Sequence, residues 1–148
     1  MKRLTSTTLF FAMLFFAAVC TTTAQSSNAV DMFKNHINKM VTKVEKAENP
    51  QDKRELLNTS FDKLLTSFDK VENMSMLSSS DLASLNKLKS NITEKKDELN
   101  GADGFKAVPD NQLNNFANYV QQDLEQANST ITISVTVLLL IIIIIILL

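Results

Sequence analysis

The chain has 148 residues, with 15 Lys and Arg against 16 Asp and Glu, one His, one Cys, two Gly and two Pro. That length suits a single domain, and a formal charge of −1 leaves no basic stripe of the kind nucleic acid requires. One cysteine closes no disulfide within the chain, and one histidine cannot alone supply a multi-ligand metal site or settle a catalytic triad.

A mean hydropathy of zero conceals two apolar ends around a polar middle. Residues 1–24 have the three-part layout of a secretory signal: Lys2 and Arg3, an apolar core from Leu9 to Val19, then small and hydroxylated residues up to Ala24, with the expected cut between Ala24 and Gln25. The core is about eleven residues, short of the roughly 20 that a span needs. Cleavage would discard Cys20 and, with Lys2 and Arg3 gone, take the charge from −1 to −3. A lipid-bearing Cys20 is the rival reading, but Val19 stands where a small residue is expected.

Residues 25–130 contain only four Gly or Pro breakers, at Pro50, Gly101, Gly104 and Pro109, among long runs of helix formers. The first helix is expected from about Asn28 to Glu48, its stripe made by Val30, Phe33, Ile37, Met40, Val44 and Ala47. Pro50 ends it and opens the next, because a proline disfavours helix in the residue before it and loses nothing at a first helical position. The second helix, about Gln51 to Asn73, holds a repeat of seven: TSFDKLL from Thr59, then TSFDKVE from Thr66. That period aligns Phe61 with Phe68 and Leu64 with Val71, the seam of a packed helix.

Ser78 to Ser80 before Asp81 mark the start of a third helix, expected to run from Asp81 to Asn100 and to be capped by Gly101. Its buried positions would be Leu82, Leu85, Leu88, Ile92 and Leu99, with Lys89, Lys95 and Lys96 interrupting the stripe. After a loop from Gly101 to Pro109, a fourth helix buries Leu113, Phe116, Val120, Leu124 and Ala127. The pattern predicts an all-α fold, a small antiparallel bundle of three or four helices.

Residues 131–148, ITISVTVLLLIIIIIILL, carry no charge. As a helix they would measure about 27 Å against roughly 30 Å of hydrocarbon, and insertion favours each Leu, Ile or Val by about 0.3 to 0.6 kcal/mol. A buried core helix is disfavoured because the segment has no polar face. The expectation is therefore a transmembrane helix, with membrane lipid as the partner of the tail. A GPI-attachment signal is the alternative, since Asn128 and Ser129 are small or short residues ahead of an apolar end and would then accept the lipid.

Asn-X-Ser/Thr triplets fall at Asn58, Asn73, Asn91 and Asn128; Asn73 and Asn128, near helix ends, are the candidate glycosylation sites. His36 lies at the margin of the first stripe, and its neighbours Met32 and Met40 share its helix, so opposed haem ligation is not supplied. Asp103 lacks the alternating acidic ligands of a calcium loop. No catalytic, metal or cofactor residues are assigned. The sequence points to a non-enzymatic structural or interaction module, exported and tethered to a membrane, with helix faces or the loop at Phe105 available to a protein partner or a second copy. A small apolar ligand held between Phe61, Phe68 and Phe116 is a further alternative.

Overall fold

The structure is a computed structural model describing residues 22–74, 76–130 and 133–148, with side chains described for 28–74, 76–126 and 133–148. Among the described residues five α-helices follow one another: α1 Thr22–Lys46, α2 Pro50–Glu72, α3 Ser79–Asn100, α4 Leu113–Thr130 and α5 Val135–Leu147, with a 3₁₀ turn Asp110–Gln112 leading into α4. No strand occurs among the described residues, so the all-α bundle stands, with the expected tail helix packed into it as its last member.

Most of the expected stripe positions form the core; Leu82, expected to be buried, is 37% exposed, Val30 and Ala47 are partly buried, and the Ala127 side chain lies outside the described residues. Phe33, Ile37, Met40 and Val44 of α1 are buried against Leu57, Phe61, Leu64, Phe68 and Val71 of α2, joined by Leu85, Leu88, Ile92 and Leu99 of α3 and Leu113, Phe116, Val120 and Leu124 of α4. Helix ends follow local chemistry. Asn49 caps α2 by accepting the Asp52 amide at 2.7 Å, with Pro50 as the first helical residue. Ser78 caps α3 by accepting the Asp81 amide at 3.1 Å. Gly101 ends α3 in the left-handed region at φ 71°, and a Cβ there would lie 2.7 Å from the Ala107 nitrogen, so only glycine fits.

The pairs Asn58–Asn100, Asp62–Lys96 and Asp69–Lys89 step in opposite directions along α2 and α3, which makes these helices antiparallel. Glu45–Asn118 and Asn38–Gln121 do the same for α1 and α4. Arg54 fastens the long connection: its guanidinium donates to the carbonyls of Leu99 and Val108 and meets Asp110 at 2.9 Å, tying the end of α3 to the start of α4.

The tail departs from the sequence expectation. α5 begins at Val135, has 13 residues and packs mainly against α1 and α2. At 1.5 Å per residue it is about 20 Å long, well under a hydrocarbon thickness of roughly 30 Å. Among the described residues no helix is long and apolar enough to cross a membrane, so the expected eighteen-residue span is not the conformation seen. The physical reason is that α1 and α2 present an apolar seam that removes water from α5 as lipid would. Of the expected signal segment 1–24, residues 1–21, with Cys20, lie outside the described residues; α1 is already helical at Thr22 and continues through Ala24 and Gln25.

Candidate membrane-contact surface

A helix reading VTVLLLIIIIIIL has no side that favours water. The bundle covers one broad face of it: Val137, Leu138, Ile141, Ile142, Ile144 and Ile145 are buried, recurring at helical spacing. The opposite edge stays in solvent, where Ile143 is 51% exposed, Ile146 69%, Leu147 79% and Leu148 43%. With full burial of such a side chain worth about 1.5 to 3 kcal/mol, the exposed fractions leave about 4 to 7 kcal/mol of unrealised apolar transfer on this edge. Its chemistry is that of a surface that gains by meeting acyl chains or another apolar face.

The helix is positioned at its first turn by two contacts. The Ser134 hydroxyl caps it, accepting the Val137 amide at 3.4 Å. The Ser134 amide donates to Asp81 Oδ1 at 2.7 Å, while Asp81 Oδ2 accepts from the Ser78 hydroxyl at 2.7 Å. One carboxylate thus joins the start of α3 to the start of α5. The Ser134 amide, aided by hydrogen bonds from Ser78 and opposed by partial burial, holds the Asp81 carboxyl below its ordinary pKa.

The other sequence candidates do not converge on this edge. Asn73 is exposed at the end of α2, with its side-chain amide donating to the Asp69 carbonyl at 2.8 Å. Asn128 and Ser129 belong to the last turn of α4, and their side chains lie outside the described residues. Asn58 pairs with Asn100 across the α2–α3 seam. Phe61 and Phe68 are fully packed core residues, whereas Phe116 borders an open cleft of about 400 Å³ with Glu98 and Tyr119. Phe105 is exposed on its loop. Among the described residues no group of three or more His, Cys, Asp or Glu side chains is placed to hold a metal ion.

Sequence reasoning missed one buried charge. Lys95, expected to interrupt the stripe of α3, is 5% exposed and satisfied in place: its ammonium donates to the Tyr119 hydroxyl at 2.6 Å, sits 4.4 Å from that ring's centre, and has Glu98 at 3.5 Å and Asp123 at 4.0 Å. Burial pulls its pKa down, but Tyr119, Asp123 and Glu98 outweigh that, and the net displacement is upward. The carboxylates come from both helices, so Lys95 fastens α3 to α4. Its spacings of seven from Leu88, three from Ile92 and four from Leu99 were the signal of an inward position.

No protein-family model matches the chain, no curated protein is significantly similar to it, and no solved structure matches its fold significantly.

Proposed function

We propose that this chain is an exported, non-enzymatic interaction module whose helical bundle is held at the outer or lumenal face of a membrane by α5. The observation that carries this reading is the exposed edge of Ile143, Ile146, Leu147 and Leu148 on a helix without a charge. The edge can enter the acyl boundary while the opposite face keeps its place in the bundle, because lipid contact asks nothing of the buried face. Docking also supports a retained tail over one exchanged for a GPI anchor at Asn128 or Ser129, since removal would strip six buried apolar side chains from the fold.

The test is flotation of the full chain with neutral phosphatidylcholine vesicles. Wild-type protein should float, and the triple variant Ile143→Ser/Ile146→Ser/Leu147→Ser should remain at the bottom with an unchanged melting temperature. Equal flotation of the two would refute the proposal.

A further inference from the structure

Lysines are distributed unevenly over this bundle. On the α2–α3 seam two lysines have acidic partners: Lys89 meets Asp69 at 2.5 Å and Glu72 at 3.0 Å, and Lys96 meets Asp62. On the α1–α2 seam Lys39, Lys43 and Lys63 line one groove, and none of their ammonium groups has an ion pair or hydrogen bond among the described residues. Cations lining one groove repel one another, and an anion seated among them relieves that repulsion.

The groove has a volume of about 170 Å³ and also receives His36, Thr59 and Ser60; among the described residues no carboxylate lines it. Met40 and Leu56 complete its wall, so part of it is apolar and weakly screening. The Ser60 hydroxyl hydrogen is committed to the Leu56 carbonyl at 2.7 Å, leaving its oxygen as an acceptor, whereas the Thr59 hydroxyl has no partner among the described residues. A drug-sized ligand needs about 300 Å³ or more, and one water molecule takes about 30 Å³, so the space suits a single tetrahedral oxyanion with a small substituent. The wider cleft next along the seam, about 520 Å³, shares Lys43, Leu56 and Thr59 with this groove and adds Lys46, Asp52 and Glu55, so its two lysines and two carboxylates balance.

His36 faces the same lysines. Burial first, then Lys39, Lys43 and Lys63, depress its pKa, so the imidazole is neutral at neutral pH. A neutral imidazole adds a hydrogen-bond donor without adding to the repulsion.

We propose that the groove formed by His36, Lys39, Lys43, Thr59 and Lys63 binds a phosphoryl anion. The lysines supply charge, and Thr59 and His36 supply directed donors. The same α1–α2 pair carries α5, so a headgroup phosphate of an anionic membrane lipid is the source that fits the proposed membrane reading, on which this choice of source rests. The site itself does not depend on that reading.

Two measurements on the full chain test it. Because the chain has one histidine, the imidazole NMR signal belongs to His36 alone. Adding inorganic phosphate at constant ionic strength should raise the His36 pKa saturably, as the anion offsets the lysines, and Lys39→Gln/Lys43→Gln/Lys63→Gln should abolish that response. Glutamine matches lysine closely in helix propensity, so the variant should fold, which its melting temperature checks.

In the second measurement, vesicles containing phosphatidylglycerol should bind wild-type chain up to about 100-fold more tightly than neutral ones, an increment expected of three lysines at an anionic surface, and the variant should lose it. A phosphate response without lipid preference supports the site and assigns its source to free anion. A triple variant that keeps both responses, or a wild-type chain that shows neither, overturns the site. Binding to neutral vesicles decides the membrane reading separately.

Discussion

Truncating Ile141 to alanine removes three carbons from a side chain that is 0% exposed on the docked face of α5. Transfer of those carbons alone is worth about 2.4 kcal/mol at roughly 0.8 per methylene, and the cavity left between α5 and its neighbours raises the expected cost to about 3 to 4 kcal/mol. Ile146→Ala is the internal control: it makes the same chemical change one and a half turns away, at a side chain 69% exposed, and should cost under about 1 kcal/mol. Urea unfolding of the two full-length variants, followed by helical circular dichroism, reads the difference directly, and thermal melts should separate them by roughly 10 °C. A tail that does not belong to the bundle predicts something else. Both variants would then match wild type within about 0.5 kcal/mol, and the docked position of α5 would be refuted.

Three further outcomes follow from the geometry. Arg54→Met should destabilise the fold by about 1.5 to 3 kcal/mol, because it leaves the Leu99 and Val108 carbonyls and Asp110 without their shared donor; hydrogen exchange in residues 101–112 should rise more than in α1. Gly101→Ala should cost more than about 1 kcal/mol in urea melts, since its φ of 71° and the 2.7 Å approach to the Ala107 nitrogen both oppose a Cβ. Asp81 has a folded pKa below its ordinary 3.8, so its contribution is present above that value and is lost as pH falls through the lower folded one; the urea midpoint should fall on acidification below about pH 4, and Asp81→Asn should weaken that dependence.

Much of the fold was legible because it depends on local chemistry. The repeat that aligned Phe61 with Phe68 and Leu64 with Val71 marks the buried face of α2, and Asn49–Pro50, Ser78 and Gly101 mark helix ends that side-chain oxygens and a left-handed φ define. Lys95 was misread because its partners Tyr119 and Asp123 arrive from α4, and a one-dimensional pattern scores a lysine as outward-facing. α5 was misread for a different reason. An apolar run without a polar face establishes that water must be excluded but not by what, and both a bilayer and a seam between two helices meet that demand. The lysine groove had no sequence signature either, since Lys39 and Lys43 belong to one helix and Lys63 to another, and only packing shows that no carboxylate enters between them.

The partners of α5 are the first two helices of the described chain, so its docking closes the longest connections in the fold. Such contacts form late, after nearby helices have already met, because distant segments must be gathered before any attraction rewards them. During that interval the first four helices hold open a trough shaped for an isoleucine-rich rod, and the rod of a neighbouring molecule fits it as well as the chain's own. Refolding in crowded solution should therefore divide between self-closed monomers and pairs that have traded their last helix, with dilution favouring the former.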